Sequence, residues 1–367
     1  MKHGIGVVLF AAAATLAVAA RPADPPAWSA RAAAAYLDGR MDWWLGWQNA
    51  QRDHDTACVS CHTAVPYALA RPSLRLALAE TQIAAPEQRM FDNVVKRVRM
   101  WKDVEPFYPD QTRGLPKTSE SRGTESVMNA LILATRDASA PQSALSPLSE
   151  ETRQAFANMW ALQFRAGDRA GAWAWLNFHY EPWEADDSPF FGASLAAVAV
   201  GTAPGGYGKS ADIQERVDAL RTYLQKHVDD EILFNKVMAM WASAKIGGVV
   251  DGPRAHTIFA ALMERQQADG GWSMASLAPW KRVDGSAMDT ASDAYATGLV
   301  VYAARQAGLT REEPHLARAM AWLEHHQDAS TGMWRVSSPN KQRDPASDAG
   351  KFLSDAGTAF AALALAR

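Results

Sequence analysis

The 367-residue sequence is poor in cysteine: it has two, Cys58 and Cys61, and His62 follows directly. Without a second cysteine pair, the chain lacks the ligands of a common structural zinc site and any framework of several disulfides. A thioredoxin-like dithiol would need alternating strands and helices around the pair, whereas the periodicity of this sequence is helical. The stretch CVSCH therefore calls for a different chemistry.

The sequence also lacks a marked excess of either charge. Its 37 basic residues stand against 40 acidic ones, for a net charge of −3, which gives no hint of binding to nucleic acid or anionic lipid. After the first 20 residues, no apolar stretch reaches the roughly 20 residues that span a bilayer. We therefore expect no nucleic-acid partner and no stable membrane insertion.

Residues 1–20, MKHGIGVVLFAAAATLAVAA, have the pattern of a secretory signal peptide. Lys2 provides a basic start, an apolar run follows, and small residues at the end suit cleavage by signal peptidase. Because the apolar run is shorter than a membrane span needs, an uncleaved anchor is the weaker alternative. The segment predicts a periplasmic or secreted protein.

In an exported protein, CxxCH is the attachment pattern of c-type haem. The thiols of Cys58 and Cys61 would add to the two haem vinyl groups, and His62 would ligate the iron. One motif predicts one covalent haem c. The alternative is a structural disulfide between the two cysteines.

Segments with helical spacing of apolar residues recur about every 45 to 65 residues and alternate in character. Some have a charged face, while others are apolar nearly all round, and a helix of the second kind is buried. We therefore predict an all-α chain of alternating outer and inner helices. The predicted outer helices are 30–48, 86–102, 150–164, 210–227, 253–267 and 314–327, and the inner helices are 63–78, 124–135, 189–200, 231–245, 291–307 and 351–365.

Three junctions between these segments end an outer helix with a polar residue, a glycine turn and a tryptophan. They are QQADGGW (266–272), HHQDASTGMW (325–334) and RAGDRAGAW (165–173). They resemble the QW motifs, QxxxGxW in form, of the terpenoid-cyclase and protein prenyltransferase α/α toroids, a group that includes squalene-hopene cyclases. The resemblance covers most of the chain after residue 20 and implies an (α/α)6 toroid with inner helices around a cavity. We expect the tryptophans to hold neighbouring helix pairs together.

The motif CVSCH stands directly before the first predicted inner helix. In such a barrel all outer-to-inner loops emerge at one end, where free N–H groups and positive helix dipoles point outward. We therefore expect a single domain over residues 21–367 that integrates the haem segment, about 49–83, with the haem at the inner-helix N-terminal mouth. The alternative is a small cytochrome fused to a separate toroid, with Met90 or Met100 as distal ligand.

Two further groups are candidates for chemistry. His179, in the polar loop LNFHYEPWEADD, is the first choice for a distal iron ligand, with an open iron or an ordinary loop histidine as alternatives. The stretch EADDS (184–188) resembles the DxDD motif of class II terpene cyclases, with Glu184 in place of the first Asp. The resemblance implies Asp186 as the acid that protonates a double bond, followed by Asp187. Alternatively, these side chains cap the next helix.

These patterns predict a monohaem protein with a redox function, either a haem-dependent oxidoreductase or an electron carrier. Its partner would be a redox protein or a small apolar substrate. Two strong axial ligands would indicate electron transfer, and an open iron would indicate chemistry on a ligand or substrate. The alternatives are a haem-based sensor or binding protein, and a cyclase or isomerase that acts through Asp186.

Overall fold

The computed structural model describes residues 28–140 and 147–366, and most of them are helical. The all-α prediction is confirmed, whereas the predicted signal peptide, residues 1–20, lies outside the described residues. Two short strands, β1 (Gln51–Arg52) and β2 (Thr56–Ala57), form an antiparallel hairpin. The helices are α1 (Ala30–Gly46), α2 (Ala64–Ala77), α3 (Ala85–Arg99), α4 (Asp110–Arg113), α5 (Lys117–Ala138), α6 (Glu150–Ala161), α7 (Ser188–Thr202), α8 (Gln214–His227), α9 (Leu233–Ile246), α10 (Gly252–Glu264), α11 (Met274–Leu277), α12 (Ala294–Gln306), α13 (Pro314–His325) and α14 (Phe352–Leu365).

The longer helices alternate in burial in the predicted order. Helices α7, α12 and α14 are buried on nearly every side, whereas α8 and α10 bury a single face. Most ends agree with the predicted ones within a few residues, but α5 begins well before residue 124. The first two turns of α5 are polar, but they pack against other segments. At Gly123, for example, a Cβ would lie 2.0 Å from the carbonyl oxygen of Ala174.

Each buried helix contacts the next buried helix along the chain, and the last one contacts the first. Helix α2 contacts α5, α5 contacts α7, α7 contacts α9, α9 contacts α12, α12 contacts α14, and α14 contacts α2. Each longer amphipathic helix packs against at least one of these buried helices. The amphipathic helices are α1, α3, α6, α8, α10 and α13. Among the residues described, no helix has both the length and the apolar character needed to cross a bilayer.

The three glycine–tryptophan junctions share one set of hydrogen bonds. Each indole is buried, and its N–H donates to a backbone carbonyl near the end of the preceding amphipathic helix. The pairs are Trp173 with Met159 at 2.6 Å, Trp272 with Leu262 at 2.7 Å, and Trp334 with Leu323 at 2.8 Å. The tryptophans are therefore structural, but these bonds lie within one helix pair rather than between neighbouring pairs, as had been expected.

A glutamine at each junction extends the contact to the next amphipathic helix. Its side-chain amide donates to the carbonyl of the junction glycine and to a second carbonyl at the start of that helix. The second acceptors are Arg216 of α8 for Gln163, His315 of α13 for Gln266, and Ser29, which precedes α1, for Gln327. The last of these joins the C-terminal helix pair to the N-terminal one.

Candidate functional site

A cavity of about 680 Å³ lies where the segments before α2, α5, α7 and α14 meet. This volume is within the range of about 300–1,000 Å³ that is usual for small-molecule and cofactor sites. Aromatic rings form much of the wall, among them Trp44, Trp183 and Phe352. Three arginines, Arg52, Arg113 and Arg343, and one carboxylate, Glu184, add charge to it, and His62 and Cys61 form part of the same wall.

The stretch CVSCH forms the turn that leads from the β-hairpin into α2. The backbone N–H of Cys58 donates to the carbonyl of Ala50 at 2.8 Å, and the indole N–H of Trp44 donates to the carbonyl of Cys58 at 2.7 Å. The Ser60 hydroxyl accepts from the N–H of Thr63 and of Ala64 at 3.2 and 3.0 Å, which caps the start of the helix. These bonds direct the end of the motif toward the cavity.

Both cysteine side chains are buried and free, so the predicted alternative of a disulfide is not formed. Burial raises the pKa of Cys58 to about 12 and raises the pKa of Cys61 well above its ordinary value. Both groups are therefore thiols at neutral pH, unlike the exposed, low-pKa thiolates of redox enzymes. The Cys61 sulfur lies 3.5 Å from the sulfur of Met128.

His62 is held between aromatic rings. Its ring stacks on Phe352 at 3.8 Å between centroids and meets Trp44 edge-on at 4.8 Å. Burial, aided by the positive charges of Arg40 and Arg343, lowers the pKa of His62 to about 3. The imidazole is therefore neutral at pH 7, which is the form that binds metal ions. Its Nδ1 lies 2.8 Å from the Thr63 hydroxyl, so Nε2 is the nitrogen left for a ligand.

This donor set fits a covalently attached haem. Two free thiols precede a neutral histidine whose second nitrogen is already hydrogen-bonded, and Cys61 and His62 border an aromatic-lined cavity. Within the described ranges, no cluster of three or more His, Cys, Asp or Glu side chains could hold a metal ion by itself.

Glu184 is the acidic residue of this wall, and sequence reasoning gave it no role of its own. Its backbone pairs with Tyr180, N–H to carbonyl, at 2.9 Å in both directions, and this pairing holds the loop before α7 over the cavity. Burial raises the pKa of Glu184 to about 7. The carboxyl group can thus hold or release a proton near neutral pH. Its place beside Trp183 in the sequence gave no signal of this, because only the structure shows that both residues line the cavity.

His179, Asp186 and Asp187 lie outside this wall. The side chains of His179 and Asp186 are 76% and 84% exposed and face each other at 3.6 Å on the surface. Because of this exposure, Asp186 lacks the desolvated setting that alkene protonation needs, and its carboxylate also accepts a hydrogen bond from Asn177 at 2.6 Å. Asp187 precedes α7 but makes no side-chain capping bond, and burial raises its pKa. The structure therefore brings neither His179 nor the acid pair to His62.

A scan against protein-family models and a search of curated proteins find no match to this chain.

Proposed function

We propose that this chain is an exported c-type haem protein in which Cys58 and Cys61 hold one haem and His62 ligates its iron. The observation that carries the proposal is the CVSCH turn itself. It has two free thiols and a neutral, oriented histidine, and Cys61 and His62 line a cavity of about 680 Å³. When bound, haem supplies one-electron redox chemistry and a coordination position for small ligands. The residue pattern of 1–20 supports a periplasmic or secreted location.

We also propose that the helices form an (α/α)6 toroid of the terpenoid-cyclase type. The closed series of contacts from α2 to α14 and back supports this arrangement, as do the repeated glutamine–glycine–tryptophan junctions. In such a toroid the haem segment, about 49–83, belongs to the single domain of residues 21–367. The cavity wall comes from segments that precede four of the buried helices, which supports a haem at their N-terminal end.

The wall favours chemistry on a small molecule over simple electron transfer. Electron-carrying cytochromes of the usual kind have a second strong axial ligand such as methionine or histidine. Among the described residues that line this cavity, His62 is the one histidine and there is no methionine. The polar groups that line the space include the three arginines, Tyr108 and Glu184. We therefore propose a haem-dependent oxidoreductase that takes a small substrate and exchanges electrons with a redox partner protein.

In this proposal the side chains have separate tasks. The aromatic rings exclude water from the iron, the arginines attract carboxylate or other anionic groups, and Glu184 holds or delivers a proton beside the cavity. His62 would hold the iron through its Nε2. Asp186 and His179 take no part, because their side chains lie in solvent.

Covalent attachment is the decisive test. The full-length chain would be produced in an exporting bacterial host with c-type haem maturation, then denatured and extracted with acidic acetone. Haem should stay with the polypeptide and give the pyridine haemochrome spectrum of a c-type haem. The matched variant, Cys58→Ala with Cys61→Ala, should carry almost none. Haem extracted from the wild-type chain, or none bound at all, would overturn the proposal.

The optical spectrum separates the oxidoreductase from an electron carrier. We expect the ferrous protein to bind carbon monoxide rapidly, because His62 is the one histidine among the described residues that line the cavity, and no methionine is among them. A low-spin spectrum that carbon monoxide leaves unchanged would show two strong axial ligands. That result would agree with a bound haem, but it would show that the protein is an electron carrier and not an oxidoreductase.

A further inference from the structure

A chain of three hydrogen bonds runs from His62 through Thr63 and Asp355 to Arg40. The last of these bonds joins the two members of a buried ion pair. The Nδ1 of His62 lies 2.8 Å from the Thr63 hydroxyl oxygen, and that hydroxyl donates to Oδ2 of Asp355 at 2.7 Å. The other Asp355 oxygen accepts from Nε–H of Arg40 at 2.8 Å. Asp355 is 1% exposed, so water does not compete for these bonds.

The direction of the bonds decides which nitrogen of His62 carries the proton. A threonine hydroxyl has one proton, and here that proton is donated to Asp355. Thr63 can therefore only accept from His62, which places the imidazole proton on Nδ1. The lone pair on Nε2 is then free to bind a metal ion.

Asp355 is held in place by groups from the N-terminal helix. The hydroxyl of Tyr36 donates to the same oxygen as Arg40, at 2.8 Å. Arg40 in turn donates to the carboxylate and to the backbone carbonyl of Asp348, both at 2.9 Å, and its guanidinium lies 4.2 Å from the ring centre of Trp43. Tyr36 and Arg40 belong to α1, and Asp355 belongs to α14. The Asp355 carboxylate therefore cannot rotate away without breaking bonds that join the two helices.

We propose that Asp355, acting through Thr63, is a positioning residue that fixes the His62 ring and increases the donor strength of its Nε2 toward the haem iron. This inference rests on the proposed function, because it concerns the histidine that would ligate the iron. A hydrogen bond from Nδ1–H toward a carboxylate leaves more electron density on Nε2 and favours ferric over ferrous iron. The relay therefore lowers the reduction potential of the protein.

The test is a spectroelectrochemical titration of the haem-loaded full-length protein and its variants. Thr63→Val keeps the shape of the side chain but removes the hydroxyl, so it should raise the reduction potential. Thr63→Ser keeps a hydroxyl and should restore a value close to that of the wild type. Thr358→Val is the matched control, because that buried threonine of α14 accepts from Trp334 at 3.0 Å and has no bond to His62. It should lower stability without shifting the potential.

The outcomes distinguish the relay from the haem proposal. A Thr63→Val protein that carries a full haem complement at an unchanged potential overturns the relay alone. A wild-type protein without covalent haem, shown by its pyridine haemochrome spectrum, overturns both. Should Thr63→Val not fold, proton NMR of the ferrous wild type decides the matter. The Nδ1–H of His62 should exchange slowly with deuterated solvent, and rapid exchange would overturn the relay.

Discussion

The side-chain amide of Gln327 donates a hydrogen bond to the backbone carbonyl of Ser29 at 3.1 Å, across 298 positions of the chain. The side-chain oxygen of Gln327 accepts from the backbone N–H of Ser29 at 2.6 Å. Beside them, Gly332 approaches α1 so closely that a Cβ would lie 2.3 Å from the carbonyl oxygen of Ala32. The C-terminal helix pair is thus attached to the N-terminal one by the same kind of glutamine hydrogen bond that joins earlier pairs.

Replacing Gln327 with alanine should destabilise the protein. The substitution removes the two bonds to Ser29 and a third, at 2.9 Å, to the carbonyl of Gly332. At roughly 1 kcal/mol for each hydrogen bond, we expect a loss of about 1 to 3 kcal/mol in the free energy of unfolding, measured by urea denaturation. Gln88→Ala, on the exposed face of α3, is the control and should change it by less than about 0.5 kcal/mol. Equal losses in the two variants would contradict this role.

Arg97 and Glu125 form a fully buried ion pair that holds the hairpin before the CVSCH turn. Nε of Arg97 lies 2.5 Å from the Glu125 carboxylate, and Nη1 donates to the Thr56 hydroxyl at 2.6 Å. Arg97→Met removes the close partner of the buried Glu125 and leaves only Arg122, 3.9 Å away, so stability should fall by about 3 to 5 kcal/mol. Haem content per chain should fall too, because Thr56 lies two positions before Cys58.

The control for that variant is Arg99→Met. Arg99 is an exposed arginine of the same helix as Arg97, α3, and it pairs with Glu151 of α6. Exposed pairs contribute about 0 to 1 kcal/mol, so thermal unfolding and haem content should both stay near the wild-type values. If Arg97→Met behaved like Arg99→Met, the buried pair would not support the motif.

Glu184 should make stability depend on pH. Its pKa in the folded protein is about 7, above its ordinary value of 4.5, so the folded chain holds this proton more tightly than the unfolded chain. The free energy of unfolding should therefore fall as pH rises from about 4.5 to about 7 and then level off. Glu184→Gln removes this contribution. At about 1.36 kcal/mol per pKa unit, the variant should gain about 1 to 3 kcal/mol over the wild type at pH 8 and little at pH 4.5.

Urea denaturation at the two pH values measures that difference. Glu215→Gln, which changes an exposed carboxylate of α8, should leave the curve of stability against pH as it is. The same gap between wild type and Glu184→Gln at both pH values would show that Glu184 is not desolvated in the folded protein.

Removal of residues 1–83 should leave a chain that does not fold by itself. The deletion takes away α1 and α2, whose contacts with α14 and α5 close the series of buried helices. The fragment 84–367 should aggregate or melt without cooperativity, judged by size-exclusion chromatography and thermal unfolding. A chain that lacks residues 1–20 alone should fold normally. A soluble, cooperatively melting fragment would instead favour a fused cytochrome and a separate toroid.

Local pattern was enough to predict much of this molecule. The alternation of buried and amphipathic helices follows from spacing, because a helix that is apolar all round must be surrounded by other elements. A structural role for the junction tryptophans was also predictable, because a large apolar ring after a glycine turn is usually buried. The predicted partner was wrong, since each indole N–H bonds to the preceding helix of its own pair. The haem attachment and the signal peptide stay predictions from sequence pattern.

Tertiary structure alone decided which polar side chains meet. Glu184 enters the cavity while Asp186, two positions later, lies in solvent, because the backbone pairing of Tyr180 with Glu184 sets the path of the loop. The bond from Thr63 to Asp355 spans 292 positions and exists because α14 returns to α2. The spacing of apolar residues along a helix predicts which residues are buried, but it does not predict which distant residue will lie beside each of them. That choice is made by packing, when each buried polar group must find a hydrogen-bond partner.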